Sequence, residues 1–275
     1  MAFTVNTNVG AMAALQSLNS TNAALGQVQT RINTGLNVAS AKDDSASFAI
    51  AQGLRGDVGG LGAVTSSLNR AKSTVDVAIA GAEQISDLVN QMKAKAIQAA
   101  DDGLDTSSRT AINSDYAALK EQISTIIASS EFNGTNLLKD DATATGKVSA
   151  LQSLDTTTSL TVANQAFETN VTTALGTDLS SKANADTALT ELATVESTIA
   201  ASFTTLGSAS RKIEGQLSFN SKLSDVMESG IGNLVDADLA KESAKLQALQ
   251  VKQQLGLQAL SIANQAPQSI ISLFR

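Results

Sequence analysis

The sequence contains no cysteine and no histidine, and its 275 residues include one proline, one tyrosine and no tryptophan. Without cysteine neither a disulfide framework nor a thiolate metal site can form. Without histidine the chain lacks the commonest general base and a common zinc ligand, so its many serines and threonines have no usual activating base. We therefore expect no enzyme activity, no cofactor and no metal site.

Long hydrophobic runs are also missing. No window approaches about 18 consecutive apolar residues, so the sequence predicts no membrane-spanning helix and no membrane partner. The first twenty residues, MAFTVNTNVGAMAALQSLNS, lack the basic region and the unbroken apolar run of a Sec signal peptide. If the protein leaves the cell, we expect a different export route.

Apolar residues are nevertheless abundant, at 43% of the chain, while aromatic residues make up only 3%. Alanine, leucine, isoleucine and valine dominate, and helix breakers are scarce, which favours long, closely packed helices. Charge is uneven: the balance is +1 over residues 1–100, −9 over 101–200 and +1 over 201–275. Nearly neutral ends suit burial in an assembly and an acidic middle suits solvent. Nucleic acid is not an expected partner.

One apolar stripe has helical three- and four-residue spacing for more than five heptads. All twelve of its positions are apolar: Leu61, Val64, Leu68, Ala71, Val75, Ala78, Ala82, Ile85, Val89, Met92, Ala96 and Ala99. Such a sustained pattern is typical of coiled-coil packing. At about 1.5 Å per residue the stretch would be roughly 58 Å long, which favours a rod over a globule.

A second stripe lies in the other half of the chain, and eight of its eleven positions are apolar. Its positions are Ile199, Phe203, Leu206, Ser210, Ile213, Leu217, Asn220, Ser224, Met227, Ile231 and Leu234. Asn220 is the kind of polar residue that fixes register in a coiled coil. We interpret both stripes as the core of the chain's own helical bundle.

The two ends of the chain carry apolar residues in different patterns. The N-terminal arm shows the helical spacing weakly, whereas the C-terminal arm, from Leu239 to Ile262, is apolar over a wide arc. A helix with so wide an apolar arc needs neighbours on more than one side. The simpler alternative is that both arms dock on the rod of the same chain.

The middle of the chain has a different amino-acid composition. Residues 142–178 are rich in threonine, serine and alanine, and the run 159–162 (SLTV) is typical of a strand, so one small hairpin or loop layer is expected there. Shorter helices are predicted over 106–129, ending before the turn signal Asn133-Gly134. A helical pattern resumes near Asn184.

Two other features invite a functional interpretation. Asp43 and Asp44 are adjacent acids, but neighbours on a helix do not face each other, and acids are favoured at a helix start, so we expect that role instead of a metal or catalytic site. The glycines between Gly53 and Gly62 follow no predicted strand and fit no phosphate-loop spacing. We interpret them as a hinge or close-packing joint.

Three motifs resemble bacterial flagellin. Residues 31–36 (RINTGL) and 40–46 (SAKDDSA) look like the N-terminal signature of that family, and residues 263–273 (ANQAPQSIISL) look like its C-terminal signature. The turn 132–134 (FNG) also matches. The resemblance covers roughly residues 1–140 and 195–275, and the middle is much shorter than in long flagellins, so large outer domains must be absent.

The resemblance implies a mainly α fold: a long antiparallel coiled-coil or helical-bundle rod with paired terminal helices and a small β-hairpin or loop. Residues 1–42 with 235–275 would form the arms of an inner tube, 43–141 with 180–234 the rod, and 142–179 a short outer layer. The arms would be buried against neighbouring subunits through Leu15, Leu18, Leu25, Ile32, Leu249, Leu260, Ile270, Ile271, Leu273 and Phe274.

The implied function is a structural subunit that self-assembles into the extracellular flagellar filament, alone or with other flagellins. The implied partners are an export chaperone of the type III apparatus, the filament cap and the hook–filament junction proteins. Two alternatives remain: a hook–filament junction protein, which shares weaker terminal similarity, and a secreted coiled-coil translocator or adhesin.

Overall fold

The computed structural model describes residues 7–140 and 146–273, with side chains placed over 7–140 and 146–265. Within these ranges the chain forms five α-helices and one π-helix, Glu168–Thr173: α1 (Val9–Thr34), α2 (Ser45–Ala99), α3 (Thr106–Ser129), α4 (Lys182–Val235) and α5 (Leu239–Leu273). Two antiparallel hairpins stand between α3 and α4: β1 (Glu131–Phe132) with β2 (Thr135–Asn136), and β3 (Val148–Leu151) with β4 (Ser159–Val162). The expected mainly helical fold is confirmed.

The contacts divide the chain into two compact units. The terminal unit contains the residues up to Gly56 and those from Val226 onwards, and the central unit runs from Asp57 to Asp225. Both α2 and α4 contribute residues to each unit, because each helix crosses a boundary without a break.

The first predicted stripe contributes a continuous row of side chains to the core of the central unit. All twelve of its positions, from Leu61 to Ala99, are buried. All of them except Leu61 join one apolar cluster that also takes residues from α3, both strands β3 and β4, the π-helix and α4. Five of the twelve are alanines, and so small a side chain allows neighbouring backbones to approach closely. The predicted 3.6-residue periodicity therefore marks the face that α2 presents to the core.

The second stripe is buried only along its first half. Ile199, Leu206 and Ile213 belong to the central core, and Asn220 has 2% of its surface exposed. Gln216 donates a hydrogen bond of 3.3 Å to the side-chain oxygen of Asn220, which partly satisfies this buried amide. From Met227 the stripe residues lie in the terminal unit and are half-buried.

The first hairpin turns where the sequence predicts it. Asn133 and Gly134 both have positive φ, 50° and 79°, which is the backbone that a two-residue type I′ turn requires. Gly134 adopts this conformation without a steric penalty because it has no Cβ atom. The second hairpin pairs Val148 with Val162 and Leu151 with Ser159, so the expected β-prone run is confirmed as a strand.

Two glycines of α2 allow other segments to approach the helix closely. A Cβ atom on Gly81 would lie 2.9 Å from a methyl of Leu138 and closer still to the Ser130 hydroxyl. A Cβ atom on Gly60 would collide with Leu154 from the β3–β4 connection. Of the glycines between Gly53 and Gly62, Gly60 alone has such a neighbour, because an added Cβ at each of the others meets no atom within 4 Å. The expected close-packing role therefore does not hold for the cluster as a whole, and α2 continues through it without a break.

Charged side chains define several helix ends. Asp44 accepts hydrogen bonds from the N–H groups of Ala46 (3.0 Å) and Ser47 (3.3 Å) and from the Ser47 hydroxyl (2.7 Å), at the start of α2. The hydroxyl bond and then the two N–H bonds hold the pKa of Asp44 below its usual value. The predicted helix-start role is therefore confirmed for Asp44. It is wrong for Asp43, whose carboxylate accepts hydrogen bonds from the N–H groups of Ala39 (3.2 Å) and Ser40 (3.0 Å) in the preceding loop. At the other end of α2, the buried Arg109 guanidinium donates to the carbonyl oxygens of Ala99 and Asp101.

The terminal unit has a small core of its own. Val38, Ala51 and Val235 are buried together, with Leu36, Phe48, Ile231 and Leu234 packed around them. The N–H groups of Asn37 and Val38 donate to the carbonyl oxygen of Val235 over 2.7 and 3.2 Å. These bonds connect the chain after α1 to the end of α4. No helix in the described part of the chain combines the length and hydrophobicity needed to cross a membrane.

Candidate assembly surface

Helices α1 and α5 pack as an antiparallel pair in the terminal unit. The Asn8 amide donates a 2.7 Å hydrogen bond to the carbonyl oxygen of Ala263, and the Gln253 amide donates a 2.8 Å bond to the side-chain oxygen of Asn22. Between these two polar contacts, Leu18 of α1 packs directly over Gly256. The missing side chain at Gly256 thus leaves room for Leu18 between the two helices.

A charge cluster around the buried Glu242 lies near the other end of the pair. Glu242 has 5% of its surface exposed and lies 3.7 Å from the Arg31 guanidinium, and its carboxylate also accepts a hydrogen bond from the Lys245 ammonium. The second carboxylate oxygen, Oε2, and the Nε of Arg31 are buried without a hydrogen-bond partner in the described structure. An incompletely satisfied ionic cluster of this kind contributes little net stability, because the cost of removing its charges from water offsets much of their attraction.

Large apolar side chains remain uncovered on this helix pair. On α5, Val251, Leu255 and Ile262 are 55%, 57% and 69% exposed. At about 100° per residue they share one side of the helix, which we call the outer α5 face, and it lies roughly 140° from the side that meets α1. Leu239 and Leu257, also exposed, occupy a third direction. One partner helix cannot cover so wide an arc.

A cleft opens where the two helices begin and end. It has a volume of about 450 Å³ and is lined by Ala11, Met12 and Leu15 of α1, by Leu260 and Asn264 of α5, and by Thr7 and Asn8, which precede α1. Met12 and Leu15 are 58% and 47% exposed, so the wall of this cleft is apolar and open. We call it the arm cleft.

The structure separates the predicted interface residues into groups. Leu15 and Leu260 lie together in the arm cleft, whereas Leu18 is buried within the chain by α5. Leu25, Ile32 and Leu249 are half-buried. The remaining predicted residues, Ile270, Ile271, Leu273 and Phe274, lie outside the residues whose side chains are described. Participation of all ten residues in assembly stays a prediction.

Sequence reasoning did not select the most exposed apolar residues. Val9 and Met12 were outside the predicted set, as were all three residues of the outer α5 face. The broad apolar arc of α5 was recognised, but periodicity alone does not tell which side of that arc the partner helix of the same chain covers. An explicit helical projection of α1 against α5 could have found the outer α5 face.

Comparison with protein-family models places both ends of the chain in one family. Residues 5–143 match the bacterial flagellin N-terminal helical region, and residues 182–274 match the bacterial flagellin C-terminal helical region. The two matches together cover most of the chain, and the internal segment between them contains β3, β4 and the π-helix.

Relatives that align over nearly the whole chain indicate the same family. The chain is 46% identical to flagellin FljM of Caulobacter vibrioides (strain ATCC 19089 / CIP 103742 / CB 15) over 275 residues, which cover 98% of each chain. It is 36% identical to a flagellin of Brucella melitensis biotype 1 over 287 residues, again covering 98% of both. No large insertion separates these proteins from the present chain.

Solved structures show the same architecture. The crystal structure of Bacillus cereus flagellin aligns with a TM-score of 0.52 at 25% identity, over 56% of this chain and 88% of that one. A putative flagellar hook-associated protein from Vibrio parahaemolyticus aligns with a TM-score of 0.57 at 12% identity, a likeness that concerns the fold alone. With two family matches and near-complete relatives, this chain belongs to the bacterial flagellin family and is a structural subunit of the flagellar filament.

Proposed function

We propose that the chain polymerises through its terminal unit, with the outer α5 face and the arm cleft covered by the terminal helices of neighbouring copies. The observation that carries this proposal is the outer α5 face. Val251, Leu255 and Ile262 point away from α1, so the chain that bears them cannot cover them with that helix. An inner tube of packed α1–α5 pairs would cover them.

The energetics favour burial by other copies. Transferring apolar surface from water contributes about 25 cal/mol per Å², so completing the burial of one half-exposed leucine contributes roughly 1 kcal/mol. Ten large apolar residues of the described terminal unit are exposed. Because every subunit carries this surface, polymerisation removes these side chains from water. The two ends of the chain are nearly neutral, so charge repulsion between subunits opposes polymerisation little.

The proposed role also implies a location, an export route and a set of partners for the subunit. The filament would lie outside the cell, and the subunit would reach it through the flagellar type III apparatus with an export chaperone, the cap and the hook–filament junction proteins as transient partners. Other flagellins of the same cell could join the polymer, because any copy with the same α1–α5 surface would fit. The tail residues Ile270, Ile271, Leu273 and Phe274 would extend the surface.

The test replaces the three residues of the outer α5 face. A Val251→Ser, Leu255→Ser, Ile262→Ser variant should keep the helical circular-dichroism signal and the urea midpoint of the wild-type monomer, because these side chains are exposed in it. It should fail to form filaments visible by negative-stain electron microscopy. Leu260→Asp should act in the same direction, because assembly would bury an unpaired charge.

The matched control changes three exposed polar residues of the same helix, Gln250→Ser, Gln254→Ser and Gln258→Ser, and should polymerise like wild type. Normal filaments from the apolar-to-serine variant would reject the proposed surface. Loss of monomer helicity in that variant would show that these residues serve the fold of the chain itself, which also contradicts the proposal.

A further inference from the structure

A basic cleft lies in the central unit, where α2 meets both hairpins. Its volume is about 440 Å³, and its polar lining includes Ser67, Arg70 and Thr74 of α2, Asn133 of the first turn, and Lys147 beside β3. Phe132, 37% exposed, forms an apolar part of the wall. The cleft thus presents two cations and several hydrogen-bonding groups to solvent.

Arg70 differs from the other basic residues that α2 carries in the central unit. In the central unit, α2 carries four basic residues, and three of them form ion pairs: Lys72 with Glu214 (2.7 Å), Lys93 with Glu196 (2.8 Å) and Lys95 with Asp115 (2.6 Å). Arg70 has no acidic partner among the described residues, and neither has Lys147. Both are exposed. Two unpaired cations in one cleft attract an anionic group.

A complementary acidic cleft lies further along α2. It has a volume of about 460 Å³ and is lined by Glu83, Ser86 and Asp87 of α2 and by Phe203 of α4. Both carboxylates are exposed and unpaired in the described structure. Like the basic cleft, it combines two charges of one sign with a hydroxyl and a phenyl ring.

The two clefts occupy different faces of α2, so one molecule cannot bring them together. At about 100° per residue, Glu83 and Asp87 lie roughly 100–140° around the helix from Arg70. Along the axis, the centre of the acidic cleft is about 22 Å from Arg70, at about 1.5 Å per residue. Distinct complementary patches on one subunit produce head-to-tail contacts that can repeat without closing, which is the interface type of a helical polymer.

We propose that the basic cleft of one copy receives Glu83 and Asp87 of a second copy, so that central units join laterally with a shift of about 22 Å along α2. This inference rests on the proposed polymerisation and adds a contact that the terminal helices do not provide. Arg70 pairs with one carboxylate and Lys147 with the other, while Phe132 and Phe203 exclude water beside the ion pairs. Since each copy offers both clefts, every subunit makes the contact twice.

Charge reversal tests the pairing. Arg70→Glu with Lys147→Glu should raise the critical concentration for filament growth by about tenfold, because like charges then face each other. Glu83→Lys with Asp87→Lys should have the same effect. Placing all four substitutions in one chain should restore growth to within about threefold of wild type. Each variant should keep the wild-type urea midpoint, because all four side chains are exposed.

The matched control is Lys222→Glu, which reverses the charge of an exposed lysine that has no ion-pair partner among the described residues of the same unit. It should leave the critical concentration unchanged. Raising the salt concentration should weaken growth of wild type more than growth of the Arg70→Glu, Lys147→Glu variant, since salt screens an attraction that the variant lacks. Failure of the fourfold variant to recover would overturn the pairing, as would normal growth of either double variant.

The cysteine-free sequence permits a direct measure of the contact. A Lys147→Cys chain and an Asp87→Cys chain are polymerised together and oxidised; one disulfide forms as two thiols lose two electrons and two protons to added oxidant. We expect covalent dimers from the mixture and none from either chain alone, because a head-to-tail contact brings unlike positions together. Lys222→Cys replaces Lys147→Cys as control.

The outcomes separate this inference from the proposed function. Filaments that form normally but give no dimers from the mixture, or that give dimers from one chain alone, overturn the lateral contact and leave polymerisation intact. If the basic cleft instead holds a free anion such as inorganic phosphate, phosphate should protect Lys147 from amine-reactive labelling in the monomer, and the mixture should give no dimers. If the wild-type chain forms no filaments, the proposed function itself fails.

Discussion

The terminal unit and the central unit use the same kinds of residue in opposite ways. In the described residues of the terminal unit only five apolar residues are buried, Leu18, Val28, Val38, Ala51 and Val235, whereas ten large ones are exposed. The central unit exposes four large apolar residues, Ile97, Phe132, Leu154 and Phe219, and all of its buried apolar residues except Leu61 form one continuous cluster. A subunit can thus contain one region that is complete alone and another that is not.

The difference follows from how many elements surround each helix. Around α2, the central core gathers residues from α3, the second hairpin, the π-helix and α4, so the apolar stripe of α2 has neighbours along its whole length. Around α5, the terminal unit offers α1 on one side. Because stability depends on apolar area removed from water, the central unit should carry most of the monomer's stability and the terminal unit little.

The largest expected effect comes from the centre of the core. Ile85 is fully buried, and Ile85→Ala should lower the free energy of unfolding by about 2–5 kcal/mol through lost transfer energy and a cavity. Leu255→Ala, which trims an exposed residue of α5, should change it by less than about 0.5 kcal/mol. Urea unfolding followed by circular dichroism measures both. Equal losses would show that the two units do not differ.

Alanine substitutions at two glycines of α2 should change the stability of the central unit in opposite directions. Gly81→Ala should destabilise by about 1–3 kcal/mol, because the new methyl group overlaps Ser130 and Leu138. Gly59→Ala, at a position with no atom within 4 Å of the added Cβ, should stabilise by about 0.5–1 kcal/mol through higher helix propensity. Thermal unfolding of the two variants gives the signs, and stabilisation by Gly81→Ala would contradict the tight packing at that position.

A substitution in the charge cluster around Glu242 tests the stability of the terminal unit separately. Glu242→Ala leaves the Arg31 guanidinium without its partner and should weaken the α1–α5 pair by about 1–3 kcal/mol. Hydrogen exchange should then accelerate in α1 and α5 while the amides of α2 near Ile85 keep their protection. Glu242→Gln, which preserves shape, should cost less. Faster exchange throughout the central unit would contradict the separation of the two units.

The smallest effect concerns the single tyrosine. Tyr116 is buried, and its hydroxyl has no hydrogen-bond partner in the described structure. Burial, with a smaller contribution from the charge of Glu191, raises the pKa of Tyr116 to about 12. Tyr116→Phe should change the free energy of unfolding by less than about 1 kcal/mol, because it removes an unsatisfied polar group.

The same residue gives a pH dependence. In the unfolded chain the phenol ionises near its ordinary pKa of 10.0, whereas in the folded chain it stays protonated until about 12. The unfolded state then binds fewer protons, so the free energy of unfolding should fall as pH rises between these two values. Near-ultraviolet absorbance follows this phenol directly, since the chain has no tryptophan and no other tyrosine. Ionisation near pH 10.0 in the folded protein would contradict its burial.

The sequence predicted the core of the central unit accurately because that core is periodic. Each of the twelve stripe positions from Leu61 to Ala99 is buried, since a long helix with one apolar face has one way to remove it from water. Asn133-Gly134 was predicted as a turn for an equally local reason, the positive φ that the two residues tolerate. The helix-start role of Asp44 also depends on its immediate neighbours.

Features that depend on distant segments could not be predicted. Periodicity does not reveal that Gly81 faces Ser130, that Arg109 terminates α2, or that residues 168–173 form a π-helix. The prediction of several shorter helices over 106–129 is wrong in number, because one helix, α3, fills the whole stretch. The outer α5 face and the basic cleft belong to the same class, because both depend on which side of a helix another segment covers.

The long sequence separation inside the central core has a consequence for how a nascent or threaded chain behaves. That core draws on residues from Val64 to Ile213, and the ion pair between Lys93 and Glu196 alone closes a loop of 103 residues. A polypeptide that emerges from a narrow pore with its amino end first therefore has no complete hydrophobic centre until its final third appears. The central core is thus completed only when α4 is available to pack against α2.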